Sequence, residues 1–267
     1  MHNFHKFDPS VLREYDIRGI INDTLTAKDA HAIGAIFGSA IKKNSGRSVV
    51  VGRDGRHSSL EIEKKLVEGL ISQGLKVFQI GLCPTPQLYF GVHHLGADGG
   101  IMITGSHNPP DYNGFKMMLG HGPFFGQDIK NMAKTPYNPT RFIEGGQQVQ
   151  LDIQEAYLHR VLEGLDLTSR LSIVWDCGNG AAGPAIEKLS KTLSGEHEVL
   201  FADVDGNFPN HHPDPTIEKN LETLITRVRE KNADLGIAFD GDGDRIGIID
   251  DLGSILWGDQ LLAILAE

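Results

Sequence analysis

The chain is poor in cysteine, aromatic residues and cationic residues, and each shortage closes off a class of protein. Its 267 residues include two cysteines, Cys83 and Cys177, too few for a disulfide framework or a four-thiolate zinc site. Both lie beside glycine-rich turns and are expected to be small, partly buried thiols in a reducing compartment. Lys and Arg total 25 against 35 Asp and Glu, a net charge of −10, so there is no broad basic surface on which nucleic acid could settle. An anionic ligand must be held by locally placed cations and amides, because the field of the whole molecule does not attract it. No run approaches the ~18 consecutive apolar residues of a membrane span. The opening Met1-His2-Asn3-Phe4-His5-Lys6-Phe7-Asp8-Pro9 lacks the apolar core of a secretory signal. The expectation is a cytoplasmic chain with neither a membrane nor a nucleic-acid partner.

Glycine, by contrast, is abundant: 32 residues, well above the average usage of about 7%. Without collagen periodicity, this points to tight turns and to loops whose backbone approaches a ligand closely. Strand and helix signals alternate along the chain. Val49-Val50-Val51 reads as a strand, Ser59 to Gln73 as a helix closed by Gly74, and Lys76 to Ile80 as a strand. A short helix through Leu88, Phe90 and Val92 follows, then a buried strand Gly100–Ile103 and a further strand Lys116–Leu119. Lys134 to Gly146, with Pro136, Pro139 and Gly145-Gly146, breaks both periodicities and marks a boundary. Beyond it the rhythm repeats. Helices are predicted over about Ile153–Leu165, Ala181–Leu193 and Glu218–Lys231, and strands over Leu171–Trp175, Glu198–Val204, Leu235–Phe239 and Arg245–Ile249. The fold class is therefore α/β: two successive domains with mixed, mostly parallel sheets, facing across a cleft. Ligands in such sheets bind beyond the carboxyl ends of the strands, which directs attention to the loops after Ile103 and Phe239. The last predicted helix, Asp259 to Glu267, carries no capping signal.

Asp240-Gly241-Asp242-Gly243-Asp244-Arg245 is the sharpest chemical signal. Carboxylates at alternate positions, spaced by glycines that permit positive φ, can converge on one hard divalent cation. The plain alternative, a solvated acidic turn, is weakened by the apolar strands on both sides. A calcium-binding helix–loop–helix fails because its sixth position is Arg245 and its flanks read as strands. Three carboxylates leave coordination positions open, as Mg2+ acting on a phosphate requires.

Thr104-Gly105-Ser106-His107-Asn108-Pro109-Pro110 is the second signal, a serine on a constrained turn after a buried strand, suited to act as a nucleophile. A hydrolase elbow is rejected, because Thr104 and Asn108 stand where glycines belong. Alone, Ser106 would be an ordinary turn serine; Lys116, His107 and Asn108 nearby make it more than that, with His107 weighted below Lys116. Glu14–Gly19 and Gly52-Arg53-Asp54-Gly55-Arg56 bring arginines onto loops beside the cleft, where guanidinium forks suit phosphate oxygens; taken singly, each reads as a surface salt bridge. Asp205–Pro215, with His211 and His212, could be imagined as a metal site, but its prolines make it a stiff connector with a structural role.

Together, Glu14–Gly19, Thr104–Lys116, Asp205–Pro215 and Asp240–Arg245 resemble the α-D-phosphohexomutases, in particular the bacterial phosphomannomutase/phosphoglucomutase group, over essentially the whole chain. The resemblance implies that Ser106 is a phosphoserine carrying the transferable phosphoryl group. It implies that Asp240, Asp242 and Asp244 hold Mg2+ together with a phosphoserine oxygen, so that Ser106 counts among the metal ligands. Lys116 then handles a proton near the phosphoserine, with His107 as a second candidate base. Arg245 orients substrate, and Tyr15, Arg18 and Asn108 are further substrate contacts. Members of this family have four domains. The resemblance gives residues 1–146 as the phosphoserine-loop domain, 147–254 as the metal-binding domain and 255–267 as the start of a third. The remaining C-terminal domains, which recognise the sugar and clamp its phosphate, would be partners of this chain. The implied reaction interconverts hexose 6-phosphate and hexose 1-phosphate, of mannose or glucose, through a hexose 1,6-bisphosphate. Two rivals stand beside it: a Mg2+-dependent sugar phosphatase, and a non-catalytic fragment that only binds metal and phosphate.

Overall fold

The computed structural model describes residues 4–120, 122–165 and 168–266. Residues 1–3 of the opening, and Glu267 of the last predicted helix, lie outside them. The chain divides into two compact units, Met1–Ile153 and Gln154–Glu267.

The first unit runs β1 (Ile17–Ile20), α1 (Ala27–Lys43), β2 (Ser48–Arg53), α2 (Ser59–Ile71), β3 (Lys76–Leu82), α3 (Thr85–His94), β4 (Gly99–Ile103), β5 (Tyr112–Leu119), β6 (Gly122–Pro123), α4 (Gln127–Met132) and β7 (Gln147–Gln150). Its sheet is ordered β1-β5-β4-β2-β3-β7, with β6 on β5; β4, β2, β3 and β7 are parallel and β5 is antiparallel to both neighbours. Side chains of a strand alternate between faces, and the β-branched run in β2 supplies both. Val49 and Val51 pack with Ile33, Phe37, Leu66 and Leu70 of α1 and α2, while Val50 packs with Leu88 and Val92 of α3. Helix α1 starts at a capping box, in which Thr26 N donates to the Asp29 carboxylate at 2.7 Å and Asp29 N donates to Thr26 Oγ1 at 3.3 Å.

The second unit runs α5 (Gln154–Leu162), β8 (Leu171–Asp176), α6 (Gly183–Thr192), β9 (Gly195–Leu200), a 3-10 turn (Glu218–Leu221), α7 (Glu222–Lys231), β10 (Leu235–Phe239), β11 (Ile246–Asp250), β12 (Ile255–Leu256) and α8 (Gly258–Leu265). Its sheet is ordered β12-β11-β10-β8-β9, with β10, β8 and β9 parallel. Ile186 of α6 packs on Ile173 and Trp175, and Leu224 and Val228 of α7 pack on Val174 and Ala238, so the two helices cover opposite faces.

The two units share one local topology. In the first, β2 crosses over to β3 on one side and β3 returns through α3 to β4 on the other. In the second, β8 crosses to β9 and returns through α7 to β10. The carboxyl ends of β2 and β4, and of β8 and β10, are thus adjacent strand ends whose chains leave in opposite directions, where open α/β sheets form crevices for ligands. Ser106 follows β4 and Asp240 follows β10, as the sequence suggested.

The structure corrects several boundaries. The division between units falls C-terminal of residue 146, because Gln147–Gln150 pairs in parallel with β3 as the edge strand of the first sheet. Strand β5 starts at Tyr112, well before Lys116, since Asn113-Gly114 is drawn into pairing with β1. The strand expected over Glu198–Val204 spans Gly195–Leu200. It stops where Phe201 turns left-handed (φ +52°). Both cysteines are fully buried rather than partly so, and both are free thiols. Burial pushes Cys83 up to about 12 and raises Cys177 as well.

Candidate active-site loops

In the first unit, Ser106 sits at the head of the loop after β4, 1% exposed, with φ +50°. A left-handed serine costs about 1–2 kcal/mol, so its surroundings must impose the conformation. From within the loop, Ser106 N donates to Thr104 Oγ1 at 2.7 Å and Asn108 N donates to Gly105 O at 2.9 Å. From outside, Asp54 and Arg56, on the loop after β2, grip the same stretch. Asp54 Oδ2 accepts from Gly105 N and from Arg56 Nε, each at 3.1 Å. The Arg56 fork donates to Ser106 O at 2.8 Å, Asn108 O at 2.6 Å, Tyr112 O at 3.0 Å and also Pro109 O.

Arg56 is therefore not the surface salt bridge the sequence suggested; it is 2% exposed and forms part of the loop's foundation. Arg53, its neighbour, does form a salt bridge, 3.1 Å from Glu63, but a half-buried one to a buried carboxylate rather than one at the surface. The signal that could have distinguished them was topological: the residues after β2 lie next to the residues after β4 once the strand order is known.

Arg18 was expected on a loop as a substrate contact. It lies within β1, 5% exposed, opposite Gly114. Its guanidinium is paired with Asp16 and donates to Gly105 O at 3.0 Å and to Asn108 Oδ1. Asn108, another expected substrate contact, thus offers its side-chain oxygen to Arg18. Tyr15 is 79% exposed on the turn before β1. His107 is half-buried, with Nδ1 at 3.3 Å from Ser106 Oγ. Lys116 sits half-buried on β5, directly across from Met102 of β4.

In the second unit, the acidic loop closes β10 onto β11. Asp240 and Asp242 are fully buried and Asp244 is exposed. One oxygen from each lies within 4.8 Å of the others, the sole such metal-capable group among the described residues. An octahedral Mg2+ with ligands at about 2.1 Å sets its ligand oxygens on the order of 3–4 Å apart, so this hard-oxygen trio suits such an ion with small adjustment. Oδ1 of Asp242 is buried and accepts no hydrogen bond, which leaves it available to a cation. Of the two glycines expected to turn left-handed, Gly243 does so (φ +69°), while Gly241 O accepts from Ala181 N at 3.0 Å and ties the acidic loop to the residues after β8. Arg245 is exposed, its N–H bonded to Asp240 Oδ1 at 3.1 Å.

The Asp205–Pro215 connector has the structural role expected of it. His211 Nε2 lies 2.9 Å from Asp176 Oδ2, and Asn210 Nδ2 donates to Asn179 Oδ1 at 2.8 Å, bracing the loop after β8. Burial disfavours the His211 charge, but the Asp176 carboxylate more than offsets this and holds His211 above its usual value.

Comparison with known proteins finds both units in one family. Residues 10–142 match the family model "Phosphoglucomutase/phosphomannomutase, alpha/beta/alpha domain I", and residues 155–253 match domain II of the same set. A phosphomannomutase/phosphoglucomutase of Pseudomonas aeruginosa is 42% identical over 97% of this chain and 56% of its own length. A phosphoglucomutase of Neisseria gonorrhoeae is 41% identical over 96% of this chain and 56% of its own. The crystal structure of a phosphoglucomutase/phosphomannomutase family protein from Burkholderia thailandensis superimposes with a TM-score of 0.89 at 41% identity, covering 98% of this chain and 59% of that one. The chain thus spans a little over half the length of the curated relatives it matches. On two family models in the expected order, each enclosing one of the two loops, the chain belongs to the phosphoglucomutase/phosphomannomutase family of α-D-phosphohexomutases.

Proposed function

We propose that this chain carries the phosphoryl-transfer centre of a phosphohexomutase, which interconverts hexose 6-phosphate and hexose 1-phosphate through a phosphoserine at 106 and a hexose 1,6-bisphosphate. The observation that supports it most is the presentation of Ser106, a buried serine held left-handed at a sheet's switch point. In the forward half-reaction a sugar hydroxyl attacks the phosphorus on Ser106; its O–P bond forms as the Oγ–P bond breaks. Lys116 takes the proton of the attacking hydroxyl. That proton then passes to the departing serine oxygen, and His107, 3.3 Å from Oγ, is the second candidate for the base. Phosphoryl transfer asks mostly for positioning and cancellation of charge, and the hydrogen-bonded loop supplies the positioning. Asp240, Asp242 and Asp244 would hold Mg2+. When bound, the ion neutralises the phosphoryl group and polarises its phosphorus.

Arg245, exposed beside the acidic loop, orients the substrate, and Tyr15 contributes a contact. Arg18 and Asn108 act on substrate through the loop they brace. Choice between mannose and glucose is assigned to the part of the relatives' length that this chain does not span. Two free thiols fit the cytoplasm as compartment.

The test is incubation with mannose 1-phosphate and a catalytic amount of hexose 1,6-bisphosphate, with and without the remaining domains. Appearance of the 6-phosphate supports the reading, and Ser106→Ala should abolish it. Release of free phosphate alone would instead mark a phosphatase, and near-normal isomerisation by Ser106→Ala would overturn the assignment.

A further inference from the structure

We propose that Arg56 is the residue that positions Ser106 for phosphoryl transfer, acting through the loop's backbone. The inference rests on Ser106 as the phosphoryl carrier. The Arg56 side chain has no exposed surface, and among the described residues it heads the large side chains that are fully buried. Burying a guanidinium is costly unless its donors are met. Asp54 meets Nε at 3.1 Å. The outer nitrogens go to four carbonyls within the stretch 106–112: Nη2 to Ser106 O and Asn108 O, Nη1 to Tyr112 O and Pro109 O.

A planar fork with five fixed donors can serve such a spread of acceptors. The three donors of a lysine, radiating from one nitrogen, cannot. The loop is laid directly on this plane. A Cβ on Gly105 would lie 2.4 Å from Arg56 Cζ and Nε, so only glycine lets the backbone come that close. The guanidinium and its Asp54 partner thereby hold Gly105 and Ser106 from below and fix the left-handed turn that aims Oγ. A displacement of the reacting atom by ~1 Å can cost about a hundredfold in rate, so the loop's support is part of the transfer apparatus.

The experiment follows phosphoryl uptake at Ser106 from glucose 1,6-bisphosphate, together with amide hydrogen exchange, for the chain, for Arg56→Lys and for Arg56→Ala with added methylguanidinium. The expected result is a maximal rate lowered by about a hundredfold in Arg56→Lys, with an unchanged half-saturating donor concentration. Exchange should quicken only over residues 104–113, and methylguanidinium should restore part of the rate to Arg56→Ala. A wild-type rate and wild-type exchange in Arg56→Lys would overturn the proposal. So would a raised half-saturating concentration at unchanged maximal rate, or exchange quickened throughout α2 and β3, which would make Arg56 a general support of the fold. If the unaltered chain takes up no phosphoryl group, it is the assignment of Ser106 that fails. The loop-confined exchange of Arg56→Lys then decides by itself whether Arg56 sets the turn.

Discussion

Asp240 and Arg245 bond to each other in both directions: Arg245 N donates to Asp240 Oδ1 at 3.1 Å, and Asp240 N donates to Arg245 O at 3.3 Å. Asp244 N joins the same Oδ1 at 3.1 Å. One carboxylate thus ties the acidic turn together as well as belonging to the candidate metal trio. Asp244, exposed at the other end of the trio, has a different share of the work.

The two aspartates should therefore fail differently. Asp240→Ala removes an acceptor from two backbone donors and should destabilise the second unit by about 1–3 kcal/mol, read by urea denaturation. Asp244→Asn should leave stability unchanged while weakening Mg2+ binding in a calorimetric titration. Equal loss of stability in both variants would contradict the division of roles.

Ser106 supplies a test of strain that needs no activity. Its φ of +50° is penalised for alanine and nearly free for glycine. Ser106→Gly should be more stable than Ser106→Ala by about 1 kcal/mol, measured as the difference in denaturation midpoint at constant slope. Both variants should lose phosphoryl uptake.

The His211–Asp176 pair predicts a pH dependence with a definite sign. The folded state raises the affinity of His211 for its proton, so the pair's contribution is complete below the ordinary histidine value of about 6.5. It should be lost as pH rises through the higher folded value. Urea unfolding of the chain followed from pH 6 upward should show this decline, and His211→Gln should flatten it. A decline of the same size in the variant would assign the dependence elsewhere.

Helices α1 and α2 approach so closely that a Cβ on Gly34 would lie 2.2 Å from Leu66 O, and one on Gly69 would lie 2.2 Å from His31 O. Neither backbone carbonyl can swing aside as a side-chain tip would. Gly34→Ala, though it favours helix locally by about 1 kcal/mol, should destabilise the first unit by about 1–3 kcal/mol through overpacking. Thermal denaturation checks the direction: a raised midpoint would mean that the helices separate without cost.

Much of this was legible before any coordinates. The two loops were recognisable because their chemistry is local: three carboxylates alternate with glycines, and a serine sits between Gly105 and Asn108-Pro109-Pro110. The strands around them were legible because Val49–Val51 and Gly100–Ile103 are apolar at successive positions, as strands buried on both faces must be. Boundaries were less so. Asn113-Gly114 has the look of a turn, yet it pairs with β1 because a neighbouring strand offers it hydrogen bonds. Helix α1 went unread, although Thr26 and Asp29 form a capping box ahead of Ala30, Ile33, Phe37 and Ile41.

The sequence by itself determined the alternation of strands and helices, the acidic triplet and the rigid serine turn, because each depends on residues a few positions apart. Only the tertiary structure decided what Arg56 and Arg18 do. Nothing within a few residues of either one separates a surface charge from a buried clamp. Each pairs with a local aspartate, Asp54 or Asp16, as a surface residue would. The remaining acceptors lie in the loop after β4, some fifty to ninety positions away, and a guanidinium becomes a scaffold only when folding removes its water and brings those oxygens to it.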